Sequence, residues 1–250
     1  MLKLFSALSK LMKGQHSDAI STVSTLSALM EGVYEGTIRG ATLKKKGDFG
    51  LGTFDGLDGE LIMLDNVIYQ APPDMQLSVP DANVQIAYAV VKFFTADVKF
   101  DVSNCQTMQE LSKRIAEGVQ RDNVMLAIKV TGEFESLKLR AVPKQQEPYP
   151  KFTEVAKQQS EKEFNNIRGT LVGFRFPQYT GELSVPGFHY HFLSEDRKLG
   201  GHVLNCSVRS ASVECDISRE LHANVPDSPA FDCADMEHDH GDSIAATESK

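Results

Sequence analysis

Residues 187–206 read GFHYHFLSEDRKLGGHVLNC, two apolar runs on either side of a polar turn from Ser194 to Gly201. That pattern predicts two strands paired as an antiparallel hairpin. His189 and His191 are two apart, so on a strand they share one face, while Tyr190 takes the other. Pairing of the two runs returns His202 to that face, and three imidazoles converge. Three protein ligands with an open fourth position are the pattern of a catalytic zinc, whereas structural zinc sites close with four. Imidazole also suits iron, copper and nickel, so the spacing selects a transition metal but not uniquely zinc. Two other readings fit the same residues. Histidines on a strand face also describe a plain polar surface. His-x-His followed by Glu195, Gly200 and a further histidine is similar to the metal motif of cupins, β-barrels that often hold iron or manganese. Against the cupin pattern, Glu195 lies in Ser-Glu-Asp-Arg-Lys, a turn sequence, and His202 returns too soon. A second candidate cluster, Glu237-His-Asp-His-Gly, lies in the polar tail without a strand scaffold.

Downstream and just upstream of this stretch the pattern is mostly strand, as in IRGTLVGFRF (167–176) and HVLNCSVRSASVECDI (202–217). Residues 143–165 are polar, carry Pro143, Pro148 and Pro150, and read as a linker with one short helix. Before them, strands are predicted over 124–142 and 84–95. A helix is predicted over 107–120, with Thr107 and Glu110 spaced as a capping box. Residues 60–71 are two apolar runs around Asp65-Asn66, which predicts a hairpin with both turn residues left-handed. Residues 37–54 read as strands punctuated by Gly40, Gly47, Gly50 and Gly52. Ile20, Val23, Leu26, Leu29 and Met30 recur at helical spacing and predict an amphipathic helix over 18–33. The start, MLKLFSALSKLMKGQHSD, has a short apolar run interrupted by Lys10 and Lys13 and no clean cleavage site. It reads as an amphipathic or frayed start of a cytoplasmic protein. The tail from Pro226 to Lys250 carries seven acidic residues and one basic one, the composition of a solvated, partly disordered end.

Of 250 residues, 41% are hydrophobic and 24% charged, which suits a globular chain able to bury a sizeable core. The formal net charge of -8 argues against nucleic acid, which requires Lys and Arg to displace counterions, and against an anionic membrane surface. A small anionic substrate stays open, because one local arginine and one metal outweigh a diffuse field. The four cysteines form no C-x-x-C pair and suit free thiols in a reducing cytosol. No apolar run reaches the length of a membrane span.

Three stretches together resemble the alpha-acetolactate decarboxylase family: GDFGLGTFDGLDGE (47–60), IRGTLVGF (167–174) and GFHYHFLSEDRKLGGH (187–202). The similarity also takes in 124–148 and runs from about residue 20 to the end. The resemblance implies an α+β, β-rich two-part fold: a mixed β-sheet domain with flanking helices over 17–165, then a β-barrel-like domain with the acidic tail over 166–250. It implies a homodimer and zinc on His189, His191 and His202. It implies that Glu60, in Leu-Asp-Gly-Glu, approaches the metal, and so does a C-terminal glutamate, best matched by Glu248. Arg140, in Leu-Lys-Leu-Arg-Ala-Val, matches the family's active-site arginine, and Thr53 matches a pocket residue. Without the family, Glu60 reads as the polar start of a hairpin, Arg140 and Thr53 as ordinary strand residues and Glu248 as part of a loose tail.

The activity the resemblance implies is decarboxylation of 2-acetolactate to acetoin and carbon dioxide. The departing carbon dioxide leaves an electron pair that the neighbouring ketone accepts as an enediolate. That charge calls for a Lewis acid and needs no organic cofactor. The chain also lacks a Gly-rich phosphate cradle in strand–helix context. Two alternatives remain from sequence: a cupin-like metal oxygenase and a non-catalytic β-rich binding domain.

Overall fold

The computed structural model describes residues 17–237 and 240–248, with Asp242, Ala245, Ala246 and Glu248 by backbone alone. The expected amphipathic start, residues 1–16, lies outside the described residues. Among them, no helix is long and apolar enough to cross a membrane.

Two sheets make the frame. The first has seven strands: β1 (Ile20–Val23), β2 (Ile38–Arg39), β3 (Phe49–Phe54), β4 (Glu60–Leu64), β5 (Val67–Ala71), β6 (Gln85–Lys92) and β12 (Leu221–Asn224). Their order is β12-β1-β6-β3-β4-β5, with β2 beside β6. The sheet is mixed, because β1 and β12 run parallel while the remaining pairs are antiparallel. The second sheet has β7 (Val98–Cys105), β8 (Met125–Ala141), β9 (Ser160–Phe176), β10 (Gly187–Ser194) and β11 (Gly200–Ser218). It is antiparallel, in the order β10-β9-β8-β11-β7, and β10 also pairs with β11. Strand β9 runs across residues 165 and 166, so this sheet draws strands from both sides of the boundary expected from sequence.

Alternation along the strands assigns the faces. Phe49, Leu51, Ile62, Leu64 and Val90 of the first sheet meet Ala127, Val172, Phe174 and Leu193 of the second in one buried cluster. The other face of the second sheet is covered by helix α3 (Met108–Val119) through Met108, Leu111, Ile115 and Val119; α1 (Leu26–Met30) and α2 (Gly40–Leu43) precede it. The Thr107 hydroxyl accepts from the Glu110 N–H at 3.1 Å. The Glu110 carboxylate reaches back to the Gln106 N–H at 3.0 Å, one residue before the expected partner. The hairpin at Asp65-Asn66 forms as read, with φ of 52° and 63° at the two turn residues.

Four readings change. The helix expected over 18–33 is a strand followed by the short α1 (Leu26–Met30). Ser24, at φ 63°, breaks the backbone between them, and Thr25 caps α1 by accepting from the Ala28 N–H at 3.1 Å. β-branched Ile20, Thr22 and Val23 fit a slot between β12 and β6, and that pairing overrides the helical spacing. Residues 37–54 contain a helical turn, α2 (Gly40–Leu43), between β2 and β3. The linker over 143–165 holds the expected short helix, α4 (Phe152–Val155), but ends at Ser160, where β9 starts. The first part of β9 is largely exposed, so its polar composition hid a strand. The described part of the tail adds α5 (Pro229–Cys233) and α6 (Gly241–Glu248), and Ile244 of α6 is buried in the inter-sheet cluster instead of being solvated.

An ionic knot, buried at Lys92 and Asp216 and partly exposed at Asp18, ties the sheets together. Lys92, fully buried on β6, donates to the Asp18 carboxylate at 2.7 Å and lies 3.5 Å from Asp216 of β11. Asp216 also accepts from the Thr95 N–H at 2.7 Å. Removing one partner of such a group leaves buried charge behind. Lys92→Met is therefore expected to cost about 3 kcal/mol. Urea unfolding checks this, and a midpoint equal to that of the parent chain would refute it.

Candidate metal centre

The site is built from two facing rows of cross-strand neighbours. On the second sheet, His202 of β11 stands opposite His191 of β10 and opposite Arg140 of β8. His189 lies one strand repeat before His191 on the same face. On the first sheet, Thr53 of β3 stands opposite Glu60 of β4 and Tyr88 of β6. All seven side chains are buried and line one cleft of about 380 Å³, part of it continuous with solvent.

The three imidazoles approach as a ligand set. Their ligand nitrogens all lie within 4.8 Å of one another. His189 Nε2 is 3.1 Å from His202 Nδ1. Two nitrogens on one tetrahedral zinc, each about 2 Å from it, stand about 3.3 Å apart, so the spacing fits. His191 Nδ1 is 2.8 Å from the Leu61 carbonyl oxygen, which can only accept, so Nδ1 carries the proton and Nε2 keeps its lone pair. Glu60 Oε2 lies 3.6 Å from that Nε2, an electron-rich pair that a cation would hold together. Burial, reinforced by the Arg140 cation, lowers the pKa of His189 to about 3. The same causes, with His189 and His191 added, hold His202 well below its usual range. Neutral imidazole is the form that binds metal.

The remaining groups are held by their neighbours. The Thr53 hydroxyl donates to the Gly59 carbonyl at 2.8 Å and so fixes the turn that delivers Glu60. Arg140 is fully buried, with its guanidinium 5.6 Å from the Phe152 ring centre and 3.4 Å from both Gln159 Oε1 and His202 Nδ1. Leu26 and Leu29 of α1 and Phe152 of α4 supply an apolar wall.

The structure thus brings His189, His191, His202, Arg140, Glu60 and Thr53 together. Glu248 is the last residue of α6, and its side chain lies outside what is described. Glu195, the carboxylate a cupin-like site would need, is exposed in a turn and pairs with Arg168 at 3.3 Å. In the tail cluster, His238 and Asp239 lie outside the described residues, and His240 sits between Glu31 and Glu182. Tyr88, Phe152 and Gln159 escaped the sequence reading. Each is an ordinary core or loop residue by composition, and only strand register or chain return places it here.

Fold and site define a class: a two-sheet, β-rich protein whose buried cleft carries a three-histidine group able to hold a metal ion, beside a carboxylate and an arginine. Residues 20–238 match the profile of the alpha-acetolactate decarboxylase family, and the chain belongs to that family. It is 42% identical over 213 residues to the alpha-acetolactate decarboxylase of Brevibacillus brevis, covering 85% of this chain and 75% of that protein. The corresponding protein of Methylococcus capsulatus is 38% identical, over 94% and 91% of the two chains. The crystal structure of alpha-acetolactate decarboxylase from Bacillus subtilis superposes with a TM-score of 0.90 at 32% identity, covering 93% of this chain and all of that one.

If the trio is the ligand set, each single replacement removes a third of it. His189→Ala, His191→Ala and His202→Ala are each expected to cut bound transition metal from about one ion per chain to about a tenth of that or less. Elemental analysis of the purified variants reads this, and full metal occupancy in any of the three would exclude that histidine as a ligand.

Proposed function

We propose that this chain is a zinc-dependent decarboxylase that converts 2-acetolactate to acetoin and carbon dioxide. The observation that carries the reading is the continuous row His191–His202–Arg140 facing Glu60 across a buried cleft. Membership of the family supports the reaction. His189, His191 and His202 would hold the ion, which when bound supplies Lewis acidity toward oxygen.

The chain's own groups do the rest. Arg140 offers a planar fork for the substrate carboxylate or the developing enediolate oxygen, and Phe152 keeps that fork in place. The bond to the carboxylate carbon breaks, and its electron pair passes into the ketone. A proton then returns to the hydroxyl-bearing carbon to give acetoin. Glu60 and Glu248 are the groups we assign to metal ligation or to that proton transfer, and Thr53 positions the Glu60 turn. Docking of Ile244 into the cluster that also contains Leu26 and Leu29 supports a place for the end of α6 near the cleft.

Finer readings complete the picture. The pairings β10–β9, β9–β8, β8–β11 and β11–β10 form a closed circuit, which supports a barrel-like second half. The homodimer and the cytoplasm are carried over from the sequence reading, and four free cysteines, three of them buried, agree with a reducing compartment.

Acetolactate added to the purified protein should yield acetoin above the spontaneous rate, should cease to do so after chelation, and should recover with zinc. Turnover that persists in protein shown to be metal-free would end the zinc reading. Glu60→Gln is expected to lower kcat at least about 100-fold with zinc retained. A parallel loss of zinc would make Glu60 mainly a ligand. Arg140→Lys is expected to lower kcat/KM about 30-fold, the worth of one charged hydrogen bond, and an unchanged value would remove Arg140 from the substrate.

A further inference from the structure

His240 carries a set of contacts that the reaction does not use. It is buried, and the two nitrogens of its ring face two different carboxylates. Nε2 lies 3.0 Å from Glu31 Oε1 and Nδ1 lies 2.7 Å from Glu182 Oε2. The His240 backbone N–H also donates to Glu182 Oε1, at 2.6 Å. Ionised carboxylates only accept, so both contacts are satisfied at once only by the imidazolium, which has two N–H donors. Lys151 donates to Glu31 at 2.7 Å, so one ammonium and one imidazolium together balance the two carboxylates. Tyr34 is another titratable group beside Glu31, and burial keeps its phenol neutral.

The position of this cluster gives it a consequence. The His240 carbonyl accepts the Ile244 N–H at 2.8 Å, so His240 is the point from which α6 departs. Glu31 caps the C-terminus of α1, whose Leu26 and Leu29 line the cleft. Glu182 lies in the turn Gln178–Leu183, next to Ser184, which is 3.0 Å from the hydroxyl of the cleft residue Tyr88. We propose that His240, as an imidazolium between Glu31 and Glu182, is a positioning residue that fastens α6 to α1, which lines the cleft, and to the turn Gln178–Leu183 behind Tyr88, and that the fastening opens when the ring loses a proton. Its consequence for turnover rests on the role assigned above to Glu248; the docking itself does not.

The pH window follows from the groups named. Burial alone would lower the His240 pKa, but the hydrogen bonds and charges of Glu31 and Glu182 outweigh it and hold the group above 6.5. Its contribution is complete below pH 6.5 and is lost as pH rises through the raised folded value. Burial alone would raise the Glu31 pKa, but Lys151 and His240 hold it below 4.5. Its contribution is present above pH 4.5 and is lost as pH falls through the lowered value.

The test uses the full chain with isoleucine methyl labels, reading Ile244 on α6 against Ile115 in the core of α3. In His240→Ala the Ile244 methyl is expected to move to a solvent-exposed shift while Ile115 stays. Trimming of the chain end by a carboxypeptidase should speed up about tenfold or more. In the parent chain, raising the pH through the titration of the His240 ring should move Ile244 the same way. That pH response should vanish in the variant. An unmoved Ile244 methyl in His240→Ala, or a His240 ring titrating at or below 6.5 in the parent chain, would overturn the proposal. Loss of kcat at unchanged zinc content in the variant supports both the fastening and the role of Glu248. An undocked α6 with full turnover upholds the fastening and removes Glu248 from the site.

Discussion

The site depends on one constraint: the first residues of β11 pair with two strands at once. His202 faces His191 across one ladder and Arg140 across another. No separately shaped turn or loop is needed to bring these side chains together, because the register does it. The double pairing requires close approach at Gly200. A Cβ there would stand 2.6 Å from the Phe192 carbonyl oxygen and 2.8 Å from Ile62 Cδ1, so only a residue without one lets β10, β11 and the first sheet close. A slip of one residue in either ladder would turn His202 away from its neighbours.

Burial then sets the electrostatics. His189 and His202, removed from water, resist protonation, and a guanidinium 3.4 Å from His202 strengthens that resistance. Arg140 thereby serves twice. It opposes protonation of His189 and His202, and it leaves a cation facing the cleft. Its own burial is tolerated because an aromatic face and a side-chain amide stand beside it. The Leu61 carbonyl fixes the tautomer of His191 from the opposite sheet, so docking of the two sheets decides which nitrogen of that ring keeps its lone pair.

Local periodicity made much of this legible. The His-x-His face, the Asp65-Asn66 turn and the Thr107 cap are short-range patterns, and each forms where the sequence put it. The β-rich character and the pairing of His191 with His202 follow from the same hairpin pattern. Arg140 and Glu60 were legible only through family likeness, because what places them is pairing between strands far apart in the chain. The segment over 18–33 failed for a related reason. Its apolar spacing suits a helix, but β12, some 200 residues later, supplies a parallel edge for Ile20–Val23 to join. The exposed half of β9 shows the converse: a strand with no buried face there has no apolar alternation to betray it.

The charge inventory of the cleft bears on what it can bind and release. The chain as a whole is acidic, at -8, yet its cleft gathers the buried Arg140 and three histidines against one described carboxylate, Glu60. A divalent cation held by the histidines would leave the buried part of the cleft with surplus positive charge, which is costly unless an anion offsets it. A small hydroxyketone carboxylate answers the need, and the apolar wall of Leu26, Leu29 and Phe152 suits its methyl groups. Loss of carbon dioxide followed by protonation turns that anion into a neutral hydroxyketone. An attraction of this kind would end with the reaction, and the same field would favour exchange of product for the next anion.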